Sequence, residues 1–193
     1  MRRIELGPCD ALLHERDGDR CVALLPGAWY PTRAPLLWYA REVALNQGWS
    51  VLEVLDELPE GEEPFDWATD RATRALDAAP GDRPVMIGKS LTSAAAGIAA
   101  DRSLPAAWLT PMLRQPAVLE ALGRAVAPTL LIGGTADSDH WDPAALPDNP
   151  AIDVVELDGL DHALQADGDL GASLAALIKV TASLAAFLDR AYS

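Results

Sequence analysis

The sequence predicts an α/β fold, a three-layer αβα sandwich with a mostly parallel twisted sheet. Short apolar runs typical of buried strands alternate with longer segments whose apolar residues recur at helical spacing. This alternation is typical of βαβ units, and their right-handed crossovers place helices on both faces of the sheet. The predicted strands are Cys21 to Leu25, Trp49 to Leu55, Val85 to Ile87, Ala106 to Leu109, Thr129 to Ile132 and Ile152 to Leu157, and the predicted helices are 34–47, 65–79, 91–101, 116–126 and 170–190.

The boundaries of several elements are marked by turn and capping residues. The first 16 residues contain two short strand-like pieces, 3–6 and 12–16, on either side of Gly7-Pro8, which suggests an antiparallel pair. Thr32 precedes the first helix and Gly48 follows it. Asp169 precedes the last helix, whose apolar face we expect to pack on the sheet and to consist of Leu170, Leu174, Leu177, Ile178, Thr181, Leu184 and Leu188.

Length and composition indicate one globular domain over residues 1–193. The chain has a mass of 20.5 kDa and is 50% hydrophobic and 23% charged, which is enough apolar sequence for one well-buried core. Its net charge of −14 argues against binding to nucleic acid or to an anionic membrane, since both need a basic surface. We therefore predict a small-molecule partner, with no nucleic acid and no membrane.

The two cysteines and the start of the chain favour a cytoplasmic protein. Cys9 and Cys21 are too few for a zinc pattern or a multi-bridge framework, and we expect two buried thiols, with a pairing between them as the alternative. The N-terminal segment has no apolar core of signal-peptide length, and we find no apolar run of bilayer-spanning length.

The most informative segment is an apolar strand that breaks at Gly88-Lys89-Ser90 and continues into the small, helix-forming residues 94–100. A serine at a sharp turn from strand to helix has its hydroxyl pushed out of the sheet, with the first amides of the helix directed toward it. Ser90 is therefore a candidate nucleophile.

Two further signals follow Ser90 in the chain. Asp137 comes after the strand 129–132, and His162 comes after the strand 152–157. Residues just beyond the carboxyl ends of parallel strands meet at one edge of the sheet, so these three side chains can converge. A histidine that accepts the serine proton, oriented by a carboxylate, is the arrangement that activates a serine.

In this order of nucleophile, acid and base the chain resembles the α/β-hydrolase superfamily over nearly its whole length. The resemblance implies catalytic roles for Ser90, Asp137 and His162, with Asp139 as the reserve acid. It also implies an oxyanion hole from the backbone amide of Leu91 and from that of Ala28 or its neighbour Trp29. The chain has Pro26 where the family has a histidine before Gly27, and Thr92 where the family has the second glycine of its elbow motif.

Many members of this superfamily carry a helical cap after the strand that corresponds here to Ala106–Leu109. Only residues 110–128 separate that strand from the next, which is enough for one connecting helix. The resemblance therefore implies a small capless hydrolase with an open cleft, in which Trp29 and Trp141 line an apolar substrate pocket.

Each signal also has a simpler interpretation. Gly88-Lys89-Ser90 could end a phosphate-binding loop, but Arg83 stands where that motif needs a glycine, and Ser90 could merely cap the following helix. The acidic segment 137–142 could bind a cation, yet such residues are common turn formers, and we predict no metal.

His14 is expected at the surface, and His140 lies too close to the acid for the family geometry. Lys89 is given no chemical role, with its ammonium expected near a carboxylate.

The sequence thus predicts a cofactor-independent serine hydrolase that cleaves a small, uncharged carboxylic ester or thioester through an acyl-enzyme on Ser90. The alternative is a hydrolase-like protein that binds small molecules reversibly, in which Thr92 and the loop at Pro26 have spoiled the elbow or the oxyanion hole.

Overall fold

The structure is a computed structural model, and it describes residues 1–192. Within these residues, eight strands form one sheet with five α-helices around it. The strands are β1 Arg2–Glu5, β2 Asp10–His14, β3 Arg20–Leu25, β4 Ser50–Leu55, β5 Arg83–Lys89, β6 Ala106–Leu109, β7 Thr129–Gly134 and β8 Ile152–Leu157. The helices are α1 Pro35–Asn46, α2 Pro64–Ala78, α3 Ala96–Asp101, α4 Pro116–Gly123 and α5 Leu170–Arg190, and short 3₁₀ turns cover Ser90–Ala95 and Pro143–Ala145.

The order of strands across the sheet is β1-β2-β4-β3-β5-β6-β7-β8. Strand β2 runs antiparallel to both of its neighbours, while all the pairings from β4 to β8 are parallel. The predicted mostly parallel sheet is confirmed, and the N-terminal antiparallel pair forms as expected around Gly7 and Pro8, with Ile4 opposite Ala11. Strand β5 lies between β3 and β6, inside the parallel part of the sheet.

Two apolar layers cover the sheet, one on each face. Along β5, Val85 and Ile87 belong to the cluster beneath α1 and α5, whereas Met86 belongs to the cluster beneath α2, α3 and α4. Every core residue of this strand therefore contacts helices, as a strand buried on both faces requires. The three-layer sandwich predicted from the alternation of elements is confirmed.

The packing face of α5 differs from the prediction. Leu170, Leu174 and Ile178 are 74%, 53% and 70% exposed, and the buried residues are Ala176, Val180, Leu184, Phe187 and Leu188. Residues four positions apart lie on one face of a helix, so Ala176, Val180, Leu184 and Leu188 form the buried stripe, while Leu170, Leu174 and Ile178 form a separate stripe. The first turns of α5 thus keep an apolar stripe in contact with solvent.

By its length and its hydropathy alone, helix α5 could cross a membrane. No apolar run of that length was predicted from the sequence. The best 18-residue window of α5 has a mean hydropathy of 1.7, and 22% of that window is buried. The core helices of globular proteins can meet the same criteria, and here α5 packs on the sheet through Val180, Leu184 and Phe187. One such helix is therefore weak evidence for membrane insertion.

The segment between β6 and β7, described throughout, contains α4 as its only helix. No cap domain is inserted there. Cys9 and Cys21 are free and buried in the same core cluster, and burial raises the pKa of both thiols, that of Cys21 to about 12.

Candidate active site

The predicted elbow forms at the end of β5, and the backbone of Ser90 has a φ of 52°. This left-handed conformation is unfavourable for a residue with a side chain, and strained residues of this kind cluster at functional sites. The turn also needs Gly88, because a Cβ atom there would lie 2.6 Å from Thr92 Oγ1 and 2.9 Å from the ring of Trp108. The strand, turn and following helical segment therefore hold Ser90 at the carboxyl edge of the sheet.

Ser90, His162 and Asp137 form one hydrogen-bonded chain. His162 Nε2 lies 2.8 Å from Ser90 Oγ, and His162 Nδ1 lies 2.5 Å from Asp137 Oδ2. Asp137 follows β7 and His162 follows β8, so three strand ends deliver the three groups to one point. The structure brings together the three residues that the sequence singled out.

The carboxyl group of Asp137 is buried but ionised. Burial opposes its charge, yet hydrogen bonds from His162 and His140 outweigh that effect and hold its pKa below the ordinary value. An ionised carboxylate only accepts hydrogen bonds, so both imidazoles donate to it from Nδ1. A His162 tautomer with its proton on Nδ1 presents the Nε2 lone pair to the Ser90 hydroxyl.

His140, set aside on sequence grounds as too close to the acid, is part of the same cluster. Its Nδ1 lies 3.0 Å from Asp137 Oδ1, and its ring lies 4.3 Å from that of His162 at an interplanar angle of 36°. The turn that begins at Asp137 places it there, since the Trp141 amide donates to the Asp137 carbonyl at 2.8 Å. His140 follows Asp137 by three residues, and within a tight turn this short spacing brings the two side chains together.

A cavity of about 390 Å³ opens over Ser90. Its wall is built from the loop after β3, the elbow and the loops after β7 and β8, and it is lined by Gly27, Ala28, Trp29, Tyr30, Lys89, Ser90, His140, Asp161, His162 and Ala163. Trp29, which was placed at the pocket from the sequence, is 86% exposed and lines this cavity.

Trp141 does not line the cavity, contrary to expectation. It is buried in the core, and its indole N–H donates to Glu156 Oε2 at 2.7 Å. Its ring covers Gly133 so closely that a Cβ atom there would lie 2.0 Å from it. The loop after β7 folds back on its own strand, which turns Trp141 away from Ser90.

No protein-family model matches the chain, and no curated protein matches it in sequence. Among solved structures it is similar to Est1E from Butyrivibrio proteoclasticus, solved with ferulic acid bound, at 13% identity over 99% of both chains with a TM-score of 0.74. A dienelactone hydrolase from Anabaena variabilis is 19% identical over 94% of each chain with a TM-score of 0.69. The chain has the α/β-hydrolase fold.

A lidless variant of this fold is also among the similar structures. It is an α/β serine hydrolase without lid from Xanthomonas campestris, 16% identical over 94% of this chain and 88% of that one, with a TM-score of 0.65. The absence of an insertion in the described segment between β6 and β7 agrees with that form of the α/β-hydrolase fold.

Thr92 replaces the second elbow glycine of the α/β-hydrolase fold without opening the turn. Its hydroxyl accepts from the Lys89 amide at 3.0 Å and donates to the Lys89 carbonyl at 3.1 Å. The side chain is fully buried. Threonine therefore closes the turn by its own hydrogen bonds.

The loop after β3 holds the second predicted oxyanion amide of the α/β-hydrolase fold. Gly27 and Tyr30 pair across a tight turn, with N···O distances of 2.9 and 3.4 Å, and these bonds leave the amides of Ala28 and Trp29 at its tip. Ala28 lines the cavity over Ser90, and Leu91 follows Ser90 at the start of the 3₁₀ turn.

Lys89 is buried. Its ammonium was expected near a carboxylate, but its close partners are different groups. Nζ lies 3.0 Å from Thr110 Oγ1, 3.0 Å from the backbone oxygen of His162 and 4.6 Å from the ring centroid of Tyr30. Burial lowers its pKa to about 8, against the longer-range attraction of Asp137 and Asp161. These contacts were not predicted from the sequence.

The remaining candidates lie away from Ser90 or are already paired. Asp139, the reserve acid, is exposed. His14, expected at the surface, is largely buried, with Nε2 3.0 Å from Glu53 Oε2. Asp137, His140 and His162 offer ligand atoms within 4.8 Å of one another and could hold a metal ion, although the hydrogen bonds described above already pair these groups.

Proposed function

We propose that this protein is a serine hydrolase that cleaves small carboxylic esters or thioesters through an acyl-enzyme on Ser90. The observation that carries the proposal is the 2.8 Å contact between Ser90 Oγ and His162 Nε2, with His162 oriented by Asp137 at 2.5 Å. A serine hydroxyl becomes a strong nucleophile when a positioned imidazole accepts its proton.

In the proposed first step His162 removes the Ser90 proton while Ser90 Oγ attacks the carbonyl carbon. The amides of Leu91 and Ala28 are the proposed donors to the oxyanion, and each such donor typically lowers the barrier by about 3 kcal/mol. His162 then gives its proton to the departing alkoxide or thiolate, which leaves the acyl group on Ser90.

In the second step water attacks the acyl-enzyme with His162 again as base. Asp137 stabilises the imidazolium that forms in both steps. The balance of the reaction is one ester or thioester and one water converted to an acid and an alcohol or thiol, and it requires no cofactor.

The cavity and the charge of the chain favour a small, uncharged substrate. The space over Ser90 is about 390 Å³, and a protein of net charge −14 disfavours anionic ligands. The exposed indole of Trp29 offers an apolar surface to the acyl group. Since Est1E was solved with ferulic acid, a ferulate ester belongs in the substrate screen beside acetyl and butyryl esters. We propose that the substrate is a dissolved cytoplasmic molecule.

Intact-mass analysis after treatment with a fluorophosphonate tests the nucleophile directly. We expect one adduct on the wild type, none on Ser90→Ala and slower labelling of His162→Ala. Hydrolysis of p-nitrophenyl acetate should follow the same order. A folded wild-type protein that takes up no label and releases no p-nitrophenol would favour the reversible binding protein instead.

A further inference from the structure

We propose that Lys89 is a positioning residue that fixes the backbone of His162 and so sets the distance between the imidazole and Ser90. This inference rests on the proposed hydrolase function. Lys89 borders the cavity, and in this proposal it acts through the loop that carries the base and not on the substrate.

The ammonium of Lys89 has three N–H groups and three partners. It donates to Thr110 Oγ1 and to the His162 carbonyl, each at 3.0 Å, and it lies over the Tyr30 ring at 4.6 Å. A buried ammonium without partners would be strongly disfavoured, so this set of contacts is what keeps the charge in place. Only 2% of the residue is exposed.

The three partners belong to three separate parts of the site. Tyr30 lies on the loop with the proposed oxyanion amide, and its hydroxyl is fixed by the Leu36 amide at 3.1 Å. Thr110 follows β6 and is held to β7 by a hydrogen bond from its amide to Ile132 at 2.6 Å. His162 follows β8. One side chain thus connects the loops after β3, β6 and β8.

Lys89 and Ser90 are adjacent, and they hold opposite ends of the same histidine. Lys89 Nζ holds the His162 backbone at its carbonyl, while Ser90 Oγ meets the ring at Nε2. The position of the ring depends on its backbone, and an error of about 1 Å in a reacting group can cost about 100-fold in rate. The carbonyl contact therefore controls whether the 2.8 Å contact with Ser90 is kept.

The charge of Lys89 contributes to this function and makes it dependent on pH. The titratable groups facing Nζ are Tyr30, Asp137, Asp161 and His162. Tyr30 is neutral because burial raises its pKa, and burial lowers the pKa of Lys89 to about 8. A neutral amine holds a carbonyl and an aromatic face more weakly than an ammonium, so activity should decline above about pH 8.

Lys89→Met, which keeps the length of the side chain and removes its charge and donors, is the first test. With p-nitrophenyl acetate at pH 7 we expect kcat to fall about 100-fold with KM within about threefold of wild type, since the base is displaced and the cavity is kept. The alkaline decline should disappear from the residual activity. Lys179→Met is the matched control, because this lysine is exposed on α5 and should behave as wild type.

A second pair of variants covers the case in which Lys89→Met does not fold. Thr110→Val removes one acceptor of the ammonium, and Thr110→Ser keeps it. We expect kcat to fall about tenfold in Thr110→Val and to stay within about twofold in Thr110→Ser, as loss of one charge-assisted hydrogen bond implies.

Proton NMR separates this inference from the proposed hydrolase function, because it needs no turnover. The His162 N–H proton bonded to Asp137 should give a downfield resonance that is lost or broadened in Lys89→Met and kept in Lys179→Met. Wild-type hydrolysis with unchanged kcat, pH profile and resonance in Lys89→Met would overturn the role of Lys89 alone. A wild type without label or hydrolysis would overturn the hydrolase, and the resonance would then decide whether Lys89 orders the histidine.

Discussion

The Nδ1 atom of His140 lies 3.0 Å from Asp137 Oδ1, on the carboxylate oxygen that His162 does not use. Both oxygens of a buried carboxylate are thereby satisfied by imidazole N–H groups, and the two rings lie against each other at 4.3 Å. Asp137 is consequently held in one orientation toward His162.

Two substitutions of His140 should distinguish the effect of its hydrogen bond to Asp137 from the effect of its ring packing on His162. His140→Asn can still donate to Asp137, whereas His140→Phe keeps a flat ring and leaves a buried oxygen unpaired, at a cost of about 1–3 kcal/mol. We expect the Phe variant to lose about tenfold in kcat and the Asn variant about threefold. Hydrolysis of p-nitrophenyl acetate and urea unfolding measure the two effects. Equal activity of the two variants would show that the hydrogen bond is unimportant.

A methyl group at Gly88 should disrupt the elbow. In Gly88→Ala the new Cβ atom would meet Thr92 Oγ1 at 2.6 Å and the Trp108 ring at 2.9 Å, and both neighbours are buried. We expect a loss of about 1–3 kcal/mol in the free energy of unfolding and no fluorophosphonate adduct on Ser90. Gly97→Ala is the control, since the nearest atom to its added methyl group is an Arg124 side-chain nitrogen 3.8 Å away. Full labelling of the Gly88 variant would contradict this view of the turn.

The hydroxyl of Thr92, more than its methyl group, should be what the elbow needs. Thr92→Val leaves the buried Lys89 amide without its 3.0 Å acceptor and should cost about 1–3 kcal/mol, while Thr92→Ser keeps the bond and should cost about 1 kcal/mol or less. Thermal and urea unfolding, with labelling of Ser90 as a second readout, distinguish the two variants. Equal stabilities would assign the role to packing instead.

The free energy of unfolding should depend on pH because of the buried charge of Lys89. Its pKa is about 8 in the folded protein against 10.5 for a free lysine, so the folded state binds fewer protons than the unfolded chain between these values. Below about pH 8 the buried charge lowers the free energy of unfolding by its full amount. This destabilisation is lost as the pH rises from about 8 to 10.5. The free energy of unfolding of wild type relative to Lys89→Met should rise by up to about 3 kcal/mol between pH 7 and pH 10.5.

Urea unfolding of both proteins at several pH values measures this difference and cancels the titration of the remaining groups. Lys179→Met, which removes an exposed lysine, is unfolded beside them as the control for loss of one positive charge. A constant difference between wild type and Lys89→Met would mean that the ammonium is not destabilised by its surroundings.

The sequence was sufficient to predict the features that follow from the order of strands and helices along the chain. Ser90, Asp137 and His162 each follow a strand of the parallel sheet, so their convergence follows from topology alone. The elbow was predicted from Gly88 and the small residues that follow it, because close approach of strand and helix leaves few alternatives.

The features that sequence did not predict depend on contacts between loops. Lys89 reaches the carbonyl of His162, 73 residues later, and no local pattern records such a pairing. Trp141 was placed at the pocket because it lies in the loop after β7, yet that loop folds back over Gly133. On α5, the apolar periodicity did not separate the stripe that packs on the sheet, which contains Val180 and Leu184, from the exposed one that contains Ile178.

The order of strands across the sheet has a consequence for how the site forms during folding. Ser90 and His162 are 72 residues apart in sequence, and β8, which precedes the histidine, pairs with β7 at the edge of the sheet. Contacts of such separation form late, after the intervening strands have associated. An intermediate that has paired only β3, β5 and β6 would contain the nucleophile without its base. Recovery of hydrolysis during refolding should therefore lag behind the recovery of secondary structure and report only the fully assembled sheet.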